Sequence, residues 1–174
     1  PMQLQGEWGP YTETICSIDP SGRGSDETTA AYISQRNGIL YLHEMRAYRD
    51  GYSDKTLLDI LKGCKKYEVS KLVIETNFGD GIVSELFRKH LQQTNQRIDV
   101  EEVRANVRKE DRIIDALEPV LNQHRLVVDR SVIEWDFKSN PDEAPERRLM
   151  YMLFYQMSRT VSYTHLRAHE TPCH

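Results

Sequence analysis

Residues 14–48 read TICSIDPSGRGSDETTAAYISQRNGILYLHEMRAY. Thr14 to Asp19 is a short β-favouring run stopped by Pro20 and Gly22, and an extended pattern resumes over Thr28 to Gln35 after the SGRGSDE turn. Asn37-Gly38 is a strong tight-turn signal. Beyond it Ile39, Tyr41, His43, Met45 and Ala47 alternate with Leu40, Leu42, Glu44 and Arg46, the period of a strand. The segment therefore predicts three consecutive antiparallel strands.

Downstream the pattern changes to helices alternating with strands. Ser53 or Asp54 caps a helix with Leu57, Leu58, Leu61 and Cys64 on one face, and Lys71 to Glu75 (KLVIE) reads as a buried strand. After Asn77 to Gly81 a helix carries Ile82, Val83, Leu86, Phe87 and Leu91, followed by an extended stretch at Ile98 to Arg104. A helix over roughly Glu110 to Gln123 presents Ile113, Ile114, Leu117, Val120 and Leu121, and a last one from about Asp142 includes Leu149, Leu153 and Met157. The order is β-β-β-α-β-α-β-α. Right-handed crossovers set the fourth strand beside the first, both parallel, at the sheet centre. The expectation is an α/β protein with a mixed five-stranded sheet in the order of an RNase H-like fold.

At 174 residues, 39% hydrophobic and 29% charged, the chain suits one globular domain. It has no apolar run of about eighteen residues and no basic-then-apolar leader, so neither membrane insertion nor export is expected, and a cytoplasmic location is. Cys16, Cys64 and Cys173 stand far apart without a CxxC pair, which fits reduced thiols, with Cys16 and Cys64 packed in the core. A net charge of -4 speaks against affinity for nucleic acid through bulk phosphate neutralisation. A metal-dependent nuclease is an exception, because its site needs clustered carboxylates. The opening at Pro1 reads as entry in mid-protein, and KSNPDEAP at Lys138 to Pro145 as a solvated loop.

The end of the chain is of another kind. Val161-Ser-Tyr-Thr-His-Leu-Arg-Ala-His-Glu-Thr171 looks like the translation of a common sequencing-library adapter, so residues 161–174 are set aside as an artefact tail and the domain is taken as 1–160. His165, His169, Cys173 and His174 imitate zinc-ligand spacing only within that tail.

Chemistry concentrates at two strand ends. Asp19 closes an otherwise apolar strand, and Glu75 closes KLVIE. On adjacent parallel strands both carboxylates emerge at one sheet edge, where oxygen ligands suit a hard divalent ion. Two such ions about 4 Å apart activate water and stabilise the leaving oxygen in phosphodiester hydrolysis. The same positions also suit a turn start and a strand cap, and spacing alone leaves both roles open. Asp26 is either an accessory ligand folded back from the far arm of the hairpin or a turn former with Gly24 and Ser25. In Asn77-Phe-Gly-Asp-Gly81, Asp80 is placed as a helix N-cap. Arg104, Arg108, Lys109 and Arg112 are the densest basic group, either a solvated helix face or contacts to DNA phosphates. His43, His90 and His124 stand alone in separate elements, and Trp135-Asp136 takes a packing role.

CSIDPSGRGSDETTAAYI, VIETNFGDG and KEDRIIDALEPVLNQHRLVVD together resemble, in order and spacing, the C-terminal nuclease domain of the large terminase subunits of tailed phages, over nearly the whole chain to about residue 160. The resemblance implies an RNase H-like endonuclease of viral DNA packaging, acting in the infected host's cytoplasm on concatemeric double-stranded DNA. It implies Asp19 and Glu75 as catalytic metal ligands for Mg2+ or Mn2+, two ions in an intact site, with Asp26 as a further ligand. It also implies a preceding ATPase domain, a portal protein and a small terminase subunit as partners. No GxxxxGK[ST] segment is present, so translocation is not expected of these residues. The family's third acid is expected beyond about Arg159, where the adapter-like residues stand, so weak or absent cleavage is expected of this chain. Competing readings are another RNase H-like nuclease of the resolvase or integrase type, an actin-like phosphate-binding module, and an inactive domain that docks DNA or a portal.

Overall fold

The computed structural model of the chain describes residues 9–20, 27–76, 81–104 and 109–138, with positions 144, 149 and 152–159. The three opening strands are β1 (Glu13–Asp19), β2 (Thr28–Arg36) and β3 (Ile39–Tyr48). Then come α1 (Asp54–Lys66), β4 (Lys71–Glu75), α2 (Ile82–Thr94), β5 (Asp99–Val103), α3 (Lys109–Asn122), β6 (Leu126–Val128) and α4 (Arg130–Lys138). They build one mixed sheet in the order β5-β4-β1-β2-β3-β6. β1 and β4 are parallel neighbours, as right-handed connection predicts.

Local chemistry sets each junction. Asn37 and Gly38 have φ of 51° and 74°, the positive values that a two-residue turn between β2 and β3 demands. In the β2–β3 ladder Ile33 faces Leu42 and Tyr32 faces Glu44, so His43 is the extra residue of a β-bulge. The Ser53 side chain accepts the Thr56 amide at the start of α1.

The core lies on one face of the sheet. Alternate residues of β1, β2 and β4, namely Cys16, Ile18, Ala30, Tyr32, Leu72 and Ile74, meet Leu57, Ile60, Leu61 and Cys64 of α1 and Val83, Phe87 and Leu91 of α2. A hydrogen bond with Cys64, and then desolvation, raise the Cys16 thiol well above its ordinary range, in keeping with inert packing thiols.

Some expectations need correction. The sheet has six strands, not five, because Leu126–Val128 pairs in parallel with Leu40–Leu42. α4 occupies Arg130–Lys138, where no helix was expected. Leu58 and Ile82 are 40% and 53% exposed, so the inward stripes run through Leu57, Ile60, Leu61 and Cys64 and through Val83, Phe87 and Leu91. Asp136, expected merely to pack, is buried, and its carboxylate accepts the Leu153 and Phe154 amides at 2.6 and 3.1 Å, capping the helical residues 153–159. The start of that helix expected from about Asp142 lies outside the described residues.

Candidate active site

Strand alternation decides where Asp19 and Glu75 point. Along β1 Cys16 and Ile18 face the core, which turns Ile15, Ser17 and Asp19 to the other face; along β4 Leu72 and Ile74 do so, turning Lys71, Val73 and Glu75 the other way. The parallel register pairs Ile15 with Lys71 and Ile18 with Ile74, and one step further it sets Asp19 against Glu75. Both carboxylates are half-buried and share one face at the C-terminal end of their strands.

α3 brings a cation to this edge. Arg112, in its first turn, donates from Nη2 to Glu75 Oε1 at 2.9 Å, with side chains 31% and 19% exposed. Thr76 follows Glu75, and its amide donates to the Val103 carbonyl at 3.0 Å, tying β4 to the end of β5. Among the described residues, Thr76 Oγ1 and Arg112 Nε are buried without a hydrogen-bond partner. Next to this edge α2 begins at Gly81, whose φ of 80° is left-handed and which makes no side-chain cap. Asp80, expected as that cap, lies outside the described residues.

The donor set suits a hard cation: two carboxylates on rigid neighbouring strands, with a guanidinium already drawn to one of them. Among the described residues no group of three or more His, Cys, Asp or Glu is gathered for a metal. Asp26 and Arg108 lie outside the described residues. Lys109 opens α3, and Arg104 is exposed just after β5.

The histidines serve elsewhere. His43 Nε2 lies 2.8 Å from Ser34 Oγ and its ring stacks on Tyr67 at 5.2 Å. Burial lowers its pKa, against an upward pull from Asp129. His90 is buried, with Nδ1 2.9 Å from the Leu86 carbonyl and Nε2 3.4 Å from Asp54 Oδ1, joining α2 to the start of α1. His124, with φ of 54°, turns the chain from α3 to β6. Sequence reasoning missed the contact between Arg112 and Glu75, and 37 residues of separation leave no local pattern that would reveal it.

With this geometry in place, comparison with known proteins gives a consistent result. The profile of the family described as Terminase Bacteriophage T7, Ribonuclease H-like domain matches residues 18–126. The large terminase subunit of Enterobacteria phage T3 is 44% identical over 151 residues, covering 87% of this chain but 26% of its own length. The chain thus spans about a quarter of that relative. Among solved structures, the large terminase of a thermophilic bacteriophage superposes with a TM-score of 0.51 at 17% identity, over 76% of this chain and 33% of that one. The human cytomegalovirus terminase nuclease domain, manganese-soaked and inhibitor-bound, gives 0.50 at 12% identity, over 69% and 63%. At such identities the two structures speak for the fold alone. Among the described residues no helix is long and apolar enough to cross a membrane.

Proposed function

The chain belongs to the phage terminase large-subunit family as its RNase H-like domain, and from that premise we propose that it is a metal-dependent endonuclease acting on concatemeric double-stranded DNA. One observation carries the reading: Asp19 and Glu75 end adjacent parallel strands in register, on the same face and at the same edge. The manganese soak of the cytomegalovirus nuclease domain is in keeping with it.

In this reading Asp19 and Glu75 hold Mg2+ or Mn2+ through carboxylate oxygens, with Asp26 as a further ligand. Bound ions supply Lewis acidity and a water of lowered pKa. The chain's own part is positional. The β1–β4 ladder fixes the spacing of the two acids, and their half-burial lowers the local dielectric in which they act. Arg104, Arg108, Lys109 and Arg112 are the basic residues proposed to contact DNA phosphates. A preceding ATPase domain, a portal and a small terminase subunit are the proposed partners, in the cytoplasm of the infected cell. By the same resemblance a third acid belongs to the complete site.

Nicking of supercoiled plasmid with Mn2+ tests the proposal, comparing the chain, its Asp19→Ala and Glu75→Ala variants, and a chain whose residues 161–174 are replaced by the C-terminal segment of the phage T3 relative. Cleavage by the repaired chain that either alanine abolishes is the expected result. No cleavage by any of them overturns it in favour of an inactive docking domain.

A further inference from the structure

The Arg112 guanidinium sits on Glu75, a carboxylate that an ion at this edge would also use. Arg112 lies in the first turn of α3, where the helix macrodipole disfavours a cation, and its partner is not on its own helix but 37 residues away. The pair is close, 2.9 Å, and half-buried, so solvent screens it incompletely. Its fit is nevertheless incomplete: Arg112 Nε is buried without a partner among the described residues, and so is Thr76 Oγ1 next to Glu75. Asp19 and Glu75 meanwhile sit on neighbouring strands, about 4.8 Å apart in backbone spacing, and two like charges so placed repel each other.

On the reading that Asp19 and Glu75 hold a divalent ion, we propose that Arg112 is a positioning residue that takes the ion's place on Glu75 in the ion-free chain and is displaced from it when the ion binds. The guanidinium offsets the repulsion between the acids and keeps Glu75 oriented. A divalent ion held by the same carboxylate meets the positive charge of the hydrogen-bonded guanidinium at close range and is repelled by it. Ion affinity is therefore set by an exchange, one cation leaving as another arrives, and removing Arg112 strengthens binding of the ion. A purely structural arginine gives the opposite sign, because its loss loosens the edge and weakens the site.

Titration of Mn2+ against the intact chain, with free ion read by electron paramagnetic resonance, decides between them and needs no turnover. The set is the parent chain, Arg112→Gln, Arg112→Lys, Glu75→Gln and the double variant Glu75→Gln/Arg112→Gln, each checked for native circular dichroism. The expected result is Mn2+ binding about tenfold tighter in Arg112→Gln, a factor typical of coupled sites. Arg112→Lys should fall between Arg112→Gln and the parent, while the single Glu75 variant and the double variant should be equally weak. If Glu75→Gln weakens binding but Arg112→Gln equals or falls below the parent, the exchange is overturned and the metal site stands. If Mn2+ binding is absent, or indifferent to Glu75, both fall together. An Arg112→Gln chain that does not fold leaves the decision to Arg112→Lys, whose affinity must then exceed the parent's.

Discussion

Tyr32 of β2 reaches into α1 so that its hydroxyl donates to the Ile60 carbonyl at 3.0 Å while its ring fills the space above Gly63. A methyl group at Gly63 would overlap the buried Tyr32 ring and hydroxyl. Gly63→Ala should therefore destabilise the fold by about 1–3 kcal/mol, even though alanine favours a helix over glycine by about 1 kcal/mol. Tyr32→Phe should lose about 1 kcal/mol with the hydrogen bond. Urea unfolding followed by circular dichroism measures both.

Asp136 is expected to be a larger single loss than its place in a short helix suggests. Its buried carboxylate holds the Leu153 and Phe154 amides. Asp136→Ala leaves those donors unmet and should cost about 1–3 kcal/mol, whereas Asp136→Asn keeps one acceptor and should cost less. Thermal melts of the two variants give the order.

Glu44 makes stability depend on acid pH. Burial pushes its carboxyl up, but hydrogen bonds from Arg46, Tyr67 and Lys66 outweigh that and bring it from an ordinary 4.5 down to about 2. The folded pKa lies below the unfolded one, so the stabilisation is complete above about pH 4.5 and is lost as pH falls towards about 2. Glu44→Gln should be less stable than the parent at pH 7, with the gap narrowing steadily from about pH 4.5 to about pH 2.5 in chemical denaturation.

Asp19→Asn should leave folding nearly intact, because the side chain is on the half-exposed face of β1 and not in the core. Mn2+ affinity, by contrast, should fall at least about tenfold, since a ligating carboxylate supplies charge that an amide lacks. Paired calorimetric titration and thermal melts separate the two effects; equal affinity in both chains would remove Asp19 from the metal site.

The first three strands and the β1–β4 neighbourhood were legible because alternation, the Asn37-Gly38 turn and connection handedness are local or topological rules. The positions of Asp19 and Glu75 at one edge follow from the same rules. β6 escaped because three residues, Leu126–Val128, are too short to show a period. α4 escaped because only Val132 of its apolar residues is fully buried, while Ile133 and Phe137 are 49% and 67% exposed, which blurs the helical stripe. Leu58 and Ile82 show the same limit, as apolar residues beside a buried stripe rather than on it. Arg112 on Glu75 depends on how α3 returns across the sheet, and no spacing rule encodes that.

The strand order makes that return unusual. β5 and β6 are the two outermost strands, and α3 alone joins them in sequence. Five strand spacings of about 4.8 Å give a width of about 24 Å, and fourteen helical residues reach about 21 Å. The connection that carries α3 thus leads from one margin of the sheet to the other, whereas the β1–β3 hairpins join immediate neighbours. By the usual preference for short-range closure, the hairpins form early and the pairing of β6 with β3 late. Arg112 rides on that connection, which brings its guanidinium back to Glu75 across 37 residues of sequence.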